Sequence, residues 1–286
     1  MIAATVLAAQ LASVFGVAAL VLYVTSASLY VLNLYRPSVA VGRAATITAA
    51  LGAVLNFAAL YARAVALDSV PYRDLLGSMK LFGFFLAALN VVLELRHRDR
   101  SLGPFLMPAA LVFMILALLE APTPKQPSAL LKGSVFALHV TLNMLSYAAF
   151  AVACALSLLY LTVGKALKSR ASKTLAGPTS RLPTLGYLER ATRTSLGVGV
   201  VTLVVGLGFG FYWASQVWSG QGLKWGLDPK VWMAVATLIF YVVVFVRARR
   251  GAAPVTTARL SVIGFLLILF SYTAVNLLVS RLHVFA

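Results

Sequence analysis

Eight stretches of this sequence are each about twenty residues long and almost entirely apolar. A stretch of that length and character is typical of an α-helix that crosses a bilayer, where no water can satisfy the backbone. The sequence therefore predicts an all-α, polytopic membrane protein with eight spans and one integral-membrane domain over residues 1–286. The eight windows are Ala12–Leu34, Thr46–Leu67, Leu75–Leu95, Leu102–Leu119, Val135–Val163, Leu196–Trp218, Val231–Val246 and Leu260–Leu282.

The composition excludes a globular cytosolic enzyme, a disordered chain and a fibrous protein. Hydrophobic residues make up 61% of the chain and charged residues 11%, with a formal net charge of +17. A soluble domain has roughly 45–50% apolar and about 25% charged residues. The positive charge lies in short loops between apolar windows, which is typical of membrane insertion and not of nucleic-acid binding. The single cysteine, Cys154, allows neither an intrachain disulfide nor a CxxC motif.

The loops after windows one, three, five and seven hold most of the 24 lysine and arginine residues. By the positive-inside rule these loops are predicted to be cytoplasmic, which places both termini on the outer side of a bacterial cytoplasmic membrane. The longest loop covers about residues 164–195, and we expect a short amphipathic piece near Leu182–Arg193. The first window has no basic segment before it, so we expect a retained span and not a cleaved signal peptide.

Two of the three histidines fall on the predicted outer side. His139 lies near the start of window five and His283 just past window eight, whereas His97 lies in a basic inner loop. Two neutral imidazoles at one depth can bind a metal between them or ligate a haem iron from its two faces. The alternative is that each is an interfacial histidine with a backbone partner.

All four tryptophans cluster in one outer loop of about residues 213–232, at Trp213, Trp218, Trp225 and Trp232. An aromatic belt would be distributed over many loops, so this clustering favours a surface for a flat ligand. Asp228 and Pro229 in the same loop predict the start of a helix, as N-cap and first helical residue.

Several spaced motifs resemble those of the cytochrome c assembly family of membrane haem-handling proteins, the CcsA/CcmC/HemX group. The tryptophan-rich segment resembles the family's WGxxWxWDP pattern, and LHVTLNMLSYAAF around His139 resembles its LHVxxMxLSYA stretch. The C-terminal VNLLVSRLHVFA resembles VNxLxxGLHSY, and VPYRDLLGSMKLFGF loosely resembles PxSNxYESLxFxxW. The resemblance runs in order from about Pro71 to the C-terminus.

The resemblance implies that His139 and His283 ligate the iron of one non-covalently bound, b-type haem, with the tryptophan segment beside the porphyrin. Trp213, Trp218 and Trp225 would then stack near the ring. By sequence proximity, Lys224, Lys230 and Arg281 are the favoured partners of the haem propionates, with snorkelling as the alternative. Further cations considered for the outer half are Arg63, Arg73 and Lys80.

The sequence departs from the family pattern at three places. Leu227 replaces the tryptophan before the aspartate, and either Ser69 or Val70, together with Val246, stands where haem-transporting members carry histidines. An inner-facing haem site is therefore left undecided.

Two functions remain open from these observations. The first is haem handling for c-type cytochrome biogenesis, with an apocytochrome and a CcsB-like membrane protein as partners. In that role the chain is at most part of a cytochrome c synthetase system and not an enzyme by itself. The alternative is a HemX-like, non-enzymatic protein that modulates tetrapyrrole synthesis or docks a partner through its basic inner loop.

Window six is rich in glycine, which could also indicate the broken helix of a secondary transporter. Close helix packing at small residues is the simpler interpretation. The glycines are Gly197, Gly199, Gly206, Gly208 and Gly210.

Overall fold

A computed structural model describes residues 2–72, 75–119, 133–168, 183–217, 226 and 229–270. This part of the chain is all-α, as predicted, and each of the eight apolar windows overlaps one helix. The helices are α1 (Ile2–Tyr35), α2 (Val39–Leu67), α3 (Leu75–His97), α4 (Gly103–Leu119), α5 (Ser134–Lys168), α6 (Leu185–Val217), α7 (Pro229–Arg249) and α8 (Pro254–Phe270).

Six of these helices, α1, α2, α3, α5, α6 and α7, are long and apolar enough to cross a membrane. The helices α4 and α8 are apolar but have 17 residues each in the described part of the chain, at the short end of the range for a span. Large apolar side chains also remain exposed along the helices, for example Val54, Phe57 and Tyr61 on α2. These features indicate a membrane protein, while the count of eight spans and the orientation of the termini stay predictions.

Several loops between windows are shorter than predicted because the helices extend into them, whereas α2 ends and α3 begins at the predicted residues, Leu67 and Leu75. The helix α5 continues to Lys168 and α6 begins at Leu185, so both ends of the predicted loop 164–195 are helical. The expected separate amphipathic piece is corrected in the same way: residues 185–193 are the first turns of α6 and bury Tyr187 and Leu188. Leucine, glutamate and arginine are good helix formers, so a basic sequence does not by itself end a helix.

The helix α7 begins at Pro229, as the Asp228–Pro229 pair predicted for its first helical residue. At either edge of the predicted outer loop, Trp213 belongs to α6 and Trp232 to α7.

Contacts divide the chain into two compact units. The first unit contains α1 to α4 and has a buried carboxylate at its centre, that of Glu94 on α3. Tyr30 of α1 donates to Glu94 Oε2 at 2.6 Å, and Arg100 Nε donates to Glu94 Oε1 at 2.8 Å. The hydroxyl of Thr46 on α2 also donates to Oε1, and Asn90 Nδ2 donates to the Tyr30 hydroxyl at 3.2 Å. One acidic side chain thereby joins three helices and the segment that leads to α4.

The second unit contains α6 to α8 and α5 as far as Lys165. Its core is apolar and includes Phe150, Leu196, Leu203, Tyr241 and Val244. The rings of Phe150 on α5 and Tyr241 on α7 stack with centroids 3.5 Å apart and an interplanar angle of 9°.

Candidate functional site

The helices α5 and α6 pack antiparallel along an interface that repeats every three or four residues. On α5 this α5–α6 interface consists of Phe136, His139, Asn143, Ser146 and Phe150, and on α6 of Gly199, Gly206, Gly210 and Trp213. A spacing of three and four residues keeps each set on one face of its helix. The interface therefore brings the first turns of α5 beside the last turns of α6.

His139 lies in the second turn of α5 and is half-buried. Its ring Nδ1 lies 2.8 Å from the carbonyl oxygen of Gly206. The amide nitrogen of Asn143, one turn further along α5, lies 3.1 Å from Nδ1 and 3.4 Å from Nε2. Both ring nitrogens of the predicted ligand are thus in contact with polar groups of the same interface.

Three glycines of α6 differ in what lies over them. A Cβ added to Gly210 would overlap the Cε1 and Nδ1 atoms of His139, and one added to Gly206 would lie 2.6 Å from Asn143 Oδ1. A Cβ on Gly208 would meet nothing within 4 Å. Close packing at small residues, expected for this helix, is therefore confirmed for Gly206 and Gly210, and the tight contact is with the histidine and its neighbour.

Trp213, one turn after Gly210, is 8% exposed and packs against Phe136, with ring centroids 5.2 Å apart. Phe136 lies one turn before His139 on α5. Two of the predicted site residues, His139 and Trp213, therefore lie on one helix–helix interface. At the start of α7, Trp232 is 62% exposed and donates from Nε1 to the carbonyl of Gly226 at 2.9 Å.

The remaining predicted site residues cannot be placed beside them. Lys230 belongs to the first turn of α7, but its side chain lies outside the described part of the chain. Also outside the described residues are Trp218, Lys224, Trp225, Asp228, Arg281 and His283. The pairing of His139 with His283 therefore stays a prediction.

The other cations predicted for the outer half are Arg63, Arg73 and Lys80, and the two that the structure describes, Arg63 and Lys80, belong to the first unit. Arg63 Nη1 donates to the carbonyl of Pro71 at 2.6 Å, which ties α2 to the segment that follows it. Lys80 Nζ points toward Gly16 of α1, where an added Cβ would lie 3.7 Å from it. Both side chains have structural surroundings within their own unit, and Arg73 lies outside the described residues.

Sequence reasoning did not assign a role to Asn143, and it treated Gly206 and Gly210 only as packing residues. The sequence spacing of these residues indicates which of them share a helix face. Asn143 follows His139 by four residues and Gly210 follows Gly206 by four, so each pair shares one helix face. The sequence does not reveal, however, that these two faces meet.

The α5–α6 interface lies within the part of the chain that is similar to known proteins. A family model described as "Cytochrome C assembly protein" matches residues 72–283, which include the whole α5–α6 interface. Among similar proteins, the "Cytochrome c biogenesis protein CcsA" of Microcystis aeruginosa is 26% identical over 272 residues, covering 79% of this chain and 82% of the relative.

The CcsA of Synechocystis sp. is 26% identical over 291 residues, with 83% of this chain and 84% of the relative covered. That of Chlamydomonas reinhardtii is 28% identical over 190 residues, with 65% and 51% covered. Because the family match extends over well more than half of the sequence, from before α3 to near the C-terminus, the chain belongs to the cytochrome c assembly protein family.

Proposed function

We propose that this chain is a membrane haem-handling protein for c-type cytochrome biogenesis. The observation that carries the proposal is that His139 and Trp213 share the α5–α6 interface, with Nδ1 of His139 against a backbone carbonyl of α6. An interfacial histidine with a backbone partner would make the same Nδ1 contact, and the haem spectrum described below separates the two interpretations. Metal-ligating histidines commonly hold one ring nitrogen on a carbonyl or carboxylate and coordinate through the other. The relatives named as cytochrome c biogenesis proteins support the same role.

Haem is the cargo in this proposal, bound without a covalent link. His139 and His283 would ligate its iron, and Trp213, Trp218 and Trp225 would lie beside the porphyrin. Lys224, Lys230 and Arg281 would pair with the propionates, and Asp228 would cap the start of α7. In the described part of the chain Trp213 packs against Phe136 and is 8% exposed, so contact with a porphyrin would require that its ring be uncovered.

Two imidazole ligands occupy both axial positions of the iron, so such a site holds haem without leaving a position for a small molecule. The protein groups would then bind, orient and present haem to the thiol pair of an apocytochrome. A separate CcsB-like membrane protein is the proposed partner that holds the apocytochrome, since the present chain has a single cysteine, buried within α5.

An absorption spectrum of the detergent-purified protein, reduced against oxidised, tests the haem site. We expect a low-spin haem spectrum in the wild-type protein. His139→Ala and His283→Ala should each lower the bound haem at least about tenfold, since loss of even a group that only orients a metal ligand costs about 10–100-fold in affinity. Added imidazole should partly restore the low-spin spectrum. His97→Ala, at the end of α3, is the matched control and should bind haem like wild type. Unchanged haem retention in the double histidine variant would refute the ligand assignment.

A gene deletion scored by haem staining separates the two functions that the sequence left open. Loss of c-type cytochromes would support the biogenesis role. Normal cytochromes with altered tetrapyrrole levels would instead select the HemX-like modulatory role.

The proposed orientation has outer termini and a basic inner face in a bacterial cytoplasmic membrane. Single cysteines introduced in a Cys154→Ser background test it. Lys224→Cys should react with an impermeant thiol reagent from outside the cell, whereas Arg170→Cys should react only after permeabilisation. Labelling of both positions from the same side would refute this topology.

A further inference from the structure

The imidazole of His139 meets a backbone carbonyl that side chains normally cover. In an α-helix each carbonyl accepts the N–H of the residue four positions later, and the side chains around it limit access to its second lone pair. For Gly206 the residue four positions later is Gly210. Neither residue has a side chain, so the ring can reach the Gly206 oxygen at 2.8 Å.

We infer that Gly206, Gly210 and Asn143 form a seat that fixes the His139 tautomer and makes Nε2 the coordinating nitrogen. The coordinating role rests on the proposed haem function, whereas the tautomer is a property of the haem-free protein. The two parts can therefore be tested separately.

The tautomer follows from the chemistry of the partner. A carbonyl oxygen only accepts hydrogen bonds, so Nδ1 must carry the proton that lies between it and Gly206. A neutral imidazole has one protonated nitrogen, which leaves the lone pair on Nε2. A metal binds the nitrogen that has the lone pair.

Asn143 lies on the second side of the ring. Its amide nitrogen lies 3.1 Å from Nδ1 and 3.4 Å from Nε2, so it lies beside both ring nitrogens and not along the in-plane lone pair of Nε2. Asn143 therefore restricts the ring without holding Nε2 strongly.

The two glycines act on the ring by different routes. A methyl group on Gly210 would overlap the ring itself, whereas one on Gly206 would press on Asn143 Oδ1. The direct overlap predicts the larger effect for Gly210→Ala. Gly208 lies on the same helix between them and faces open space, so Gly208→Ala is a matched control for the general effect of alanine in this helix.

Nitrogen NMR of ¹⁵N-histidine-labelled, haem-free protein tests the seat without any cargo. The chain has three histidines, and comparison with His139→Gln assigns the His139 signals. At about pH 8, above the usual titration range of imidazole, we expect the proton on Nδ1 in wild type and in Gly208→Ala. Gly210→Ala should move a substantial part of the population to the Nε2–H form. A proton on Nε2 in the wild-type protein would overturn the inference.

The haem-loaded protein tests the consequence for coordination. We expect Gly210→Ala to lose most of its low-spin spectrum, at least about tenfold in bound haem, with partial recovery on adding imidazole. Gly206→Ala should show a smaller loss and Gly208→Ala none. A Gly210→Ala protein with the wild-type spectrum and reduction midpoint would overturn the seat.

The failure of the two proposals would look different. If the NMR spectra show the predicted tautomer and its loss in Gly210→Ala while wild-type protein binds no haem, the seat stands and the haem function fails. If wild-type protein binds haem through His139 but the tautomer is insensitive to Gly210→Ala, the seat fails and the haem function stands.

Discussion

Glu94 in the first unit and His139 in the second are both polar side chains between apolar helices, but their surroundings differ. Both carboxylate oxygens of Glu94 accept hydrogen bonds, from Tyr30 on one side and from Arg100 and Thr46 on the other. Nδ1 of His139 lies 2.8 Å from a backbone carbonyl, and the Asn143 amide nitrogen lies 3.1 Å from Nδ1 and 3.4 Å from Nε2. A satisfied network holds helices together, whereas a carbonyl that holds one ring nitrogen orients the imidazole for a ligand on the other nitrogen.

Helices of both units meet at backbone carbonyls, as where the Ser26 hydroxyl on α1 donates to the Ala45 carbonyl on α2 at 2.9 Å. In the first unit, side chains from three helices converge on one charge. In the second, backbone groups of α6 are exposed at glycines and accept bonds from α5, as Gly199 does from the Ser146 hydroxyl at 2.9 Å. The charged cluster around Glu94 therefore distinguishes the first unit, and we expect it to serve stability, whereas the proposed role of the α5–α6 interface is to position His139.

The largest expected effect on stability is that of Glu94→Ala. Glu94 is 5% exposed, and its removal leaves the buried hydroxyl of Tyr30 and the Arg100 guanidinium without their common acceptor. Because Arg100 is about one third exposed, we expect a loss at the low end of the range for breaking a buried ion pair, about 3 kcal/mol. Denaturation in detergent, followed by circular dichroism, measures it. If the Glu94→Ala variant folds but loses haem ligation, the contrast between a structural Glu94 and a ligand-binding His139 is wrong.

Compared with Glu94→Ala, the His139→Ala variant should lose less stability and more haem binding. The variant loses the hydrogen bond to the Gly206 carbonyl, worth about 1 kcal/mol, together with the Asn143 contact and the packing of a half-buried ring over Gly210, while the Gly206 carbonyl keeps its helical partner. Haem binding should nevertheless fall at least about tenfold. Thermal unfolding and the absorption spectrum of the same preparation measure both quantities. A stability loss as large as that of Glu94→Ala would mean that His139 is a structural residue.

Ser146→Ala removes a fully buried donor from the α5–α6 interface without touching the ring of His139. We expect a loss of about 1 kcal/mol, since Gly199 keeps its helical hydrogen bond. The sole cysteine, Cys154, is buried on the same helix, so the onset of its reaction with a thiol-specific dye on heating reports the change. The Thr162→Ala variant, which alters an exposed hydroxyl of α5, is the control and should unfold like wild type.

The smallest effect is expected at the start of α6, where Arg193 Nη2 and Glu189 Oε1 lie 2.6 Å apart at the surface. Both side chains are more than a third exposed, so Glu189→Gln should cost less than about 0.5 kcal/mol, and the cost should decrease with added salt. Equilibrium unfolding at low and high salt measures it. A loss comparable to that of Glu94→Ala would show that exposure does not separate the two ion pairs.

In the described part of the chain, the sequence predicted the helical class and the approximate position of each helix. It could do so because a membrane-spanning helix needs about 20 consecutive apolar residues, which the sequence shows directly. It misplaced the helix ends near Lys168 and Leu185, since the polar residues there are compatible with both loop and helix. It identified His139 but not the part that Gly206 plays. That contact joins positions far apart in sequence and depends on how two helices are rotated against each other.

The distance along α6 between its two contacts with α5 has a consequence for how this chain can vary. Ser146 bonds to Gly199 and His139 to Gly206, which lie about two helical turns apart. Inserting or deleting one residue between them would rotate the later glycines by about 100° and turn the carbonyl away from the ring. Outward positions of this stretch are therefore open to substitution, while its length cannot change.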